Sequence, residues 1–297
     1  MNKYLRALIA ISVCLLLGAV LAWAGSQAGA MVAGLPLFAV CVLLSFVVQW
    51  LAFVPAYIYQ TEHYYDLTGS LTYILLTVLA VSLSPAVDVR SALLAGMVMV
   101  WAARLGSFLF MRIKQDGADS RFDKIKPNPL RFVTAWTLQG LWVVVTAACA
   151  LVAITSGNRL EMGIVGWIGV ALWLSGFAIE VIADRQKRVF RASLNGRKDF
   201  IRTGLWAYSR HPNYFGEIVL WIGVCVLAWP VLEGWQNVAM ISPLFVIFLL
   251  TKVSGIPTLE GATDLKWQGN ADYEAYKAQT PVLVPRLSRP GKLVQEA

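Results

Sequence analysis

The sequence predicts an all-α membrane protein, a bundle of about seven to eight transmembrane helices. Of its 297 residues, 58% are hydrophobic and 14% are charged, whereas a soluble domain carries roughly a quarter charged residues. Several apolar runs reach the roughly 20 residues that a helix needs to cross a bilayer. Composition and run length together therefore predict a polytopic membrane protein.

The apolar runs define the predicted spans. No water-soluble domain of useful size fits between them, so we expect one integral-membrane domain over residues 1–297. The bundle occupies residues 5–256, and a cytoplasmic tail occupies residues 257–297. The first run is longer than the apolar core of a signal peptide, which favours a retained helix. The spans lie near residues 5–24, 31–58, 67–86, 91–112, 130–154, 162–183, 213–231 and 236–256.

Positive charge gathers on one side of this topology. With the amino terminus in the cytoplasm, the basic segments at residues 112–131, 185–202 and 266–292 are all cytoplasmic. Lysine and arginine prefer cytoplasmic loops, so we expect both termini in the cytoplasm. The same preference accounts for the net charge of +8, and the charge therefore does not indicate a nucleic-acid partner.

The four cysteines are Cys14, Cys41, Cys149 and Cys225, and each stands alone in an apolar run. No Cys-x-x-Cys spacing occurs. We expect small buried hydrophobic side chains, and neither a disulfide nor a metal site.

One polar segment, Gly204–Glu217, lies between a basic run and an apolar run. Pro212 lacks an amide hydrogen and disfavours a helical conformation at the residue before it, so a helix should begin at or just after Pro212. Asn213 then falls in the first turn, where free N–H groups and the positive end of the helix dipole lie. Polar residues at the end of a membrane helix are costly unless they bind something. We interpret the segment as a ligand site.

The end of the sixth span is charged on one helical face. Residues three and four apart share a face, which aligns five side chains. Such a stripe can form surface ion pairs worth a few tenths of a kcal/mol each. Alternatively, its cations, facing the Gly204–Glu217 segment, suit a ligand with several phosphates. The five are Glu180, Asp184, Lys187, Arg188 and Arg191.

Polar residues also occur in the first half of the chain. Glu62, Tyr65 and Asp66 either belong to a solvated loop, with Asp66 capping the next helix, or line a cavity. Arg104 interrupts an apolar run, so it either faces the interior or extends to the nearby surface. Gln139, inside the fifth span, is predicted to hydrogen-bond to a neighbouring helix.

The tail is rich in aromatic residues. Gly255 and Pro257 end the last span, and Tyr273 and Tyr276 share a helical face. We therefore expect the tail to fold back over the membrane face and close the site beside Gly204–Glu217.

Three segments resemble the steroid 5-alpha-reductase family, in particular its bacterial branch. They are Gly204–Glu217, Asp184–Arg191 and the tail with Leu259, Tyr273 and Pro281. The wider superfamily includes sterol reductases and isoprenylcysteine carboxyl methyltransferases. The resemblance implies an enzyme of the bacterial inner membrane with a cytoplasmic-side cofactor pocket that the tail closes. It implies hydride transfer from NADPH to the C=C bond of a steroid-like or isoprenoid enone, as in a 3-oxo-5-alpha-steroid 4-dehydrogenase. The hydrophobic substrate would arrive from the bilayer lipids.

The resemblance also implies residue roles. The animal enzymes bind the ketone with a glutamate and a tyrosine. The Gln-Glu-Leu-Pro-Ser segment that carries the glutamate is missing here, and Trp101 stands near the position of the tyrosine. The nearest catalytic substitutes are Glu62, Tyr65 and Asp66, together with Arg104. No Gly-x-Gly-x-x-Gly follows a strand, which excludes a Rossmann site. The cofactor-binding residues implied are Asp184, Arg188, Arg191, Arg210, His211, Asn213, Tyr214, Glu217, Glu260, Trp267 and Tyr273.

Two other functions remain open. An S-adenosylmethionine-dependent methyltransferase of a lipid-like substrate could share the Arg-His-Pro motif, but that cofactor has no phosphates to engage the arginine-rich stripe. A non-enzymatic transporter or lipid-binding protein usually has polar groups near the bilayer midplane and internal repeats. Here the polar groups cluster toward one face, and the sequence has no evident repeat.

Overall fold

The computed structural model describes residues 3–116, 119 and 122–286, with the backbone alone at residues 3 and 112–116. Parts of the predicted basic segments, at residues 117–118, 120–121 and 287–297, lie outside the described residues. The described chain is built from helices, with one hairpin of two-residue strands. The helices are α1 Lys3–Gly25, α2 Leu37–Ile58, α3 Tyr65–Leu83, α4 Val89–Asp116, α5 Pro129–Thr146, α6 Ala148–Thr155, α7 Ile164–Ser193, α8 Pro212–Ala228, α9 Ile241–Phe248, α10 Ile256–Lys266 and α11 Ala271–Gln279.

The predicted fold class is confirmed. Among the described residues, seven helical segments are long and apolar enough to cross a bilayer, and α5 with α6 makes an eighth if that bent pair is one span. The protein is therefore an integral multi-pass membrane protein. Short 3₁₀ segments lie at Gly204–Ala207, Trp229–Val231 and Gly234–Met240, and a π-helical turn follows α9 at Leu249–Val253.

The second and fifth spans differ from the sequence prediction. The second span begins at Leu37, because β1 Met31–Val32 and β2 Leu35–Pro36 form a hairpin. Ala33 and Gly34 form its turn with φ of 48° and 80°, the left-handed values that two-residue hairpin turns require. The fifth span bends by 59° between α5 and α6.

The described chain forms two compact units. The first comprises residues 1–167 and 224–242, and the second comprises residues 168–223 and 243–297. In the first unit, Gln139 Nε2 donates to Gln49 Oε1 at 3.0 Å and to the Tyr65 carbonyl at 2.8 Å. Gln49 in turn donates to Thr72 Oγ1 at 2.9 Å. The predicted contact of Gln139 with neighbouring helices is confirmed, since these groups belong to α2, α3 and α5.

All four cysteines are buried, as predicted, and each is a free thiol. They are not all isolated, however, because the sulfur atoms of Cys149 and Cys225 lie 2.8 Å apart within the first unit. No local pattern indicates this pair, since the two residues are 76 positions apart.

In the second unit, glycines allow α7 and α8 to touch backbone to backbone. A Cβ atom on Gly176 would lie 2.5 Å from the Gly216 carbonyl oxygen, and one on Gly216 would lie 2.6 Å from the Gly176 oxygen. Helix α7 also continues to Ser193 rather than ending near residue 183. The start of α8 is therefore held against the charged half of α7.

Candidate functional site

The start of α8 has the local structure that the sequence predicts. The helix begins at Pro212, and its first hydrogen bond runs from the Phe215 N–H to the His211 carbonyl at 3.1 Å. Just before it, the His211 N–H donates to Ser209 Oγ at 3.1 Å. Asn213 lies in the first turn, as expected.

Arg210 and His211 meet at one carboxylate. His211 Nε2 lies 2.7 Å from Glu260 Oε1, and Arg210 lies 3.2 Å from Glu260 Oε2. The Tyr214 ring stacks on the imidazole, with the ring centres 5.6 Å apart and the planes 9° from parallel. Glu260 therefore holds one edge of the His211 ring, and Tyr214 packs against one of its faces.

The contact with Glu260 also fixes the tautomer of the neutral His211 ring. A carboxylate can only accept hydrogen bonds, so Nε2 carries the proton and Nδ1 is left as an acceptor. His211 is 5% exposed, and its Nδ1 has no hydrogen-bond partner among the described residues. A buried acceptor without a partner costs free energy, and a ligand that brings a donor would remove that cost.

A cavity of about 320 Å³ opens beside this cluster, entirely within the second unit. Lys187, Arg191 and Lys266 line it, and none of them has a carboxylate within 4 Å in the part of the chain that the structure describes. Lys187 Nζ lies 4.6 Å from the centre of the Trp206 ring. Arg210, by contrast, is already paired with Glu260. The cavity thus presents three cations that form no salt bridge among the described residues, although Asp199 and Glu260 also belong to its lining.

Aromatic side chains form another part of the cavity wall. The Phe200 ring centre lies 5.4 Å from that of Trp267, 5.3 Å from that of Tyr273 and 5.6 Å from that of Tyr276. Burial raises the pKa of both tyrosines, and a hydrogen bond to Asp264 raises that of Tyr273 further. Both phenols therefore remain protonated at neutral pH.

The tail packs against the Gly204–Glu217 segment, as predicted. The Arg210 N–H donates to the Pro281 carbonyl at 2.9 Å, and Ser209 Oγ donates to the Leu283 carbonyl at 2.7 Å. The Tyr276 hydroxyl donates to the Trp206 carbonyl at 2.8 Å.

The residues predicted to bind the cofactor divide into two groups. Within the second unit, Asn213 Nδ2 donates to Asp184 Oδ1 at 3.2 Å. These two residues lie two or three positions from residues that line the cavity, but they do not line it themselves. Arg188 is exposed, and Glu217 and Tyr214 are half-buried; these three also do not line the cavity. The role of these five residues stays a prediction. Those that do line it are Arg191, Arg210, His211, Glu260, Trp267 and Tyr273.

Some lining residues were absent from the cofactor-binding set that the resemblance implies. Lys187 could be found from the sequence, and the predicted charged stripe whose cations suit a ligand with several phosphates includes it. Phe200 could not, because it lies in an irregular loop where no periodicity indicates which way a side chain faces.

The predicted catalytic residues belong to the first unit. Glu62 is 2% exposed and accepts hydrogen bonds from Lys126 Nζ and from the Asp119 N–H. Burial by itself would raise the pKa of Glu62, but these two donors hold it below its ordinary value. Glu62 is thus a carboxylate in a buried ion pair.

Tyr65, Asp66 and Arg104 lie on α3 and α4. Tyr65 donates its hydroxyl to the Ala135 carbonyl at 2.9 Å. Helix α3 begins at Tyr65, so Asp66 lies inside its first turn rather than at the capping position. Arg104 lies within α4. Their catalytic role stays a prediction.

Comparison with known proteins identifies the family. The model of the family described as "Protein of unknown function (DUF1295)" matches residues 52–280. The chain belongs to the DUF1295 family. This DUF1295 protein is 37% identical to bovine (Bos taurus) 3-oxo-5-alpha-steroid 4-dehydrogenase 1 over 67 residues, 23% of this chain and 26% of that protein. The human (Homo sapiens) protein of that name is 38% identical over 64 residues, 22% of this chain and 25% of its own length.

A longer match is to an uncharacterized protein of Schizosaccharomyces pombe, 24% identical over 230 residues, 67% of this chain and 64% of that protein. The predicted resemblance to the steroid 5-alpha-reductase family is confirmed. The matches nevertheless span only about a quarter of the length of the bovine and human steroid dehydrogenases. No solved structure matches the chain.

Proposed function

We propose that this DUF1295 protein is a membrane reductase that uses NADPH to saturate the C=C bond of an apolar, steroid-like or isoprenoid enone. The activity that the names of the bovine and human relatives describe supports this reaction class. The apolar helices support a substrate that arrives from the surrounding bilayer lipids. A bacterial inner membrane is the proposed location.

The observation that carries the proposal is the set of cations in the cavity. Lys187, Arg191 and Lys266 face one space without a carboxylate partner among the described residues. Like charges gathered in one cavity repel, and an anionic ligand converts that repulsion into attraction. Charge-assisted hydrogen bonds from lysine and arginine suit phosphate oxygens. S-adenosylmethionine would leave these cations unmatched.

The other lining residues fit the remainder of a dinucleotide. Trp267 and Tyr273 offer aromatic faces, and His211 Nδ1 offers an acceptor for a ribose hydroxyl or an amide N–H. Asp184, Asn213, Tyr214, Glu217 and Arg188 are proposed to complete the cofactor contacts around this cavity.

NADPH would supply the hydride for the β carbon of the enone. The protein would hold the cofactor and stabilise the negative charge that develops on the ketone oxygen. For that oxygen we propose that the hydrogen-bond donor is drawn from Tyr65 and Arg104, and that the carboxylates Glu62 and Asp66 hold the donor in place. A proton delivered to the α carbon would then complete the saturation.

Thermal unfolding of the detergent-purified protein tests the cofactor. A ligand that binds only the folded state raises its stability, by about 2.7 kcal/mol at a hundred times the Kd. We expect NADPH to raise the unfolding temperature, NADH to raise it less, and S-adenosylmethionine to leave it unchanged. Loss of NADPH absorbance on adding a steroid or isoprenoid enone then tests turnover.

Two outcomes would replace the proposal. Stabilisation by S-adenosylmethionine alone would favour a methyltransferase, and no response to any of the three would favour a transporter or lipid-binding protein. If NADPH raises the unfolding temperature but no enone is reduced, NADPH would stand as the cofactor and the proposed substrate class would be wrong.

A further inference from the structure

The last described residues, 281–286, form a strap along the segment that precedes α8. The Arg210 N–H donates to the Pro281 carbonyl at 2.9 Å, and the Arg286 N–H donates to the Tyr208 carbonyl at 3.1 Å. The strap therefore holds main-chain atoms of the segment whose side chains, Arg210 and His211, line the cavity.

Ser209 joins the strap to His211. Its hydroxyl donates to the Leu283 carbonyl at 2.7 Å and accepts from the His211 N–H at 3.1 Å. Ser209 is 0% exposed, so water does not replace this hydroxyl when it is removed. The substitution of Ser209 by alanine would leave a buried carbonyl and a buried N–H unpaired.

Arg286 fastens the other end of the strap. One of its terminal nitrogens donates to the Gln279 carbonyl at 2.7 Å, and the other donates to the Ala207 carbonyl at 3.2 Å. Gln279 ends α11, and Ala207 ends the 3₁₀ turn before the site. The two terminal nitrogens of the planar guanidinium donate to the two carbonyls at once, whereas lysine has a single ammonium group and cannot donate to both from the same position.

We propose that Arg286 and Ser209 are positioning residues for the Arg210–His211 pair. Glu260 holds the two side chains of that pair, and the strap holds their main chain. With the strap released, the location of His211 Nδ1 at the cavity would depend only on the side-chain contacts of His211 with Glu260 and Tyr214. The inference rests on the proposed function only in the choice of NADPH as the probe.

Hydrogen exchange measured by mass spectrometry on the ligand-free full chain tests the inference directly. We expect Arg286→Lys and Ser209→Ala each to speed exchange of the amides of Arg210 and His211 about tenfold, as expected for the loss of one or two buried hydrogen bonds. Peptides from α1 and α2 should exchange as in the wild type. Arg197→Lys and Ser175→Ala, made at exposed positions outside the strap and the cavity lining, are the matched controls and should change neither.

NADPH titration gives the second readout. We expect the Kd for NADPH to rise about tenfold in both strap variants when it is measured well below the unfolding temperature of each variant. Unchanged exchange at Arg210 and His211 in both variants would overturn the inference. If the wild-type protein fails to bind NADPH, the proposed function falls, while the exchange measurement still decides the role of the strap.

Discussion

Among single residues, Lys187, Arg191 and Lys266 are distinguished by lining one cavity without a salt bridge among the described residues. Arg210 has Glu260 and Lys126 has Glu62, whereas Arg191 lines the cavity with no carboxylate partner among the described residues. Paired cations serve the fold. An unpaired cation at a cavity is available to a ligand.

Arg191→Ala is therefore predicted to weaken NADPH binding about tenfold. Binding of NADH should weaken less, because only NADPH carries the 2′-phosphate that an arginine would engage. Equilibrium titration with both nucleotides measures this. Arg185→Ala, at an exposed position outside the cavity lining, is the control.

An equal loss for the two nucleotides would exclude Arg191 from the 2′-phosphate. Arg188→Ala tests the sequence prediction for that residue separately. Arg188 is exposed and is not part of the cavity lining, so any selective effect there would require the ligand to extend beyond the cavity.

Glu62 should make the stability of the protein depend on pH. Its pKa is raised by burial but lowered more by the donors Lys126 and Asp119, to below the ordinary value of 4.5. A carboxylate with a lowered folded-state pKa stabilises the protein above its unfolded-state pKa, and that contribution is lost as the pH falls through the folded-state value. We expect Glu62→Gln to flatten the loss of stability below about pH 4.5.

Thermal unfolding in detergent across this pH range measures the effect of Glu62. Glu274→Gln, at an exposed carboxylate on α11, is the control and should retain the wild-type slope. A Glu62→Gln protein with the wild-type slope would mean that this ion pair does not carry the acid sensitivity.

At the scale of elements, the contact between α7 and α8 determines where the polar ends of these helices meet. Backbone contact at Gly176 and Gly216 brings the helices closer than side chains would permit. Small residues are what membrane helices use for close approach, because lipid provides no hydrophobic force to press them together. The hydrogen bond between Asn213 and Asp184 depends on this approach.

Gly216→Ala is predicted to destabilise the protein by about 2 kcal/mol. The added Cβ would lie 2.6 Å from the Gly176 oxygen and 2.7 Å from the Glu180 nitrogen, both of them backbone atoms. Thermal unfolding in detergent measures the change. Gly96→Ala in α4, where an added Cβ would have no neighbour within 4 Å, should be neutral or slightly stabilising; similar behaviour of the two variants would contradict a tight α7–α8 contact.

At the scale of the whole molecule, the charge distribution predicts an orientation. The basic segments fall on one side of the predicted topology, so both termini should be cytoplasmic. The native cysteines are buried, which allows single introduced cysteines to report sidedness. Glu161→Cys and Gln268→Cys place thiols at exposed positions that should lie on opposite sides.

A membrane-impermeant maleimide should label Glu161→Cys in intact cells. It should label Gln268→Cys only after the membrane is opened. The reverse pattern would mean that the protein has the opposite orientation. Labelling of both variants in intact cells would contradict a cytoplasmic tail.

The membrane class, the approximate spans and the helix start at Pro212 followed from the sequence alone, because they depend on local causes. The sequence also indicated that Gln139 bonds a neighbouring helix and that the tail contacts the Gly204–Glu217 segment, but not which groups meet there. Span length follows from a run of apolar residues, and a helix start follows from the geometry of proline. The hairpin at residues 31–36 was missed because its turn uses Ala33, which does not signal a left-handed conformation.

Which polar residues meet depends on the tertiary structure. His211 and Glu260 are 49 residues apart, Cys149 and Cys225 are 76 apart, and no local pattern pairs residues over such separations. Lys187 and Phe200 line the cavity because α7, the loop after it and the tail converge there. Composition sets which segments enter the membrane, whereas long-range packing sets which side chains share a cavity.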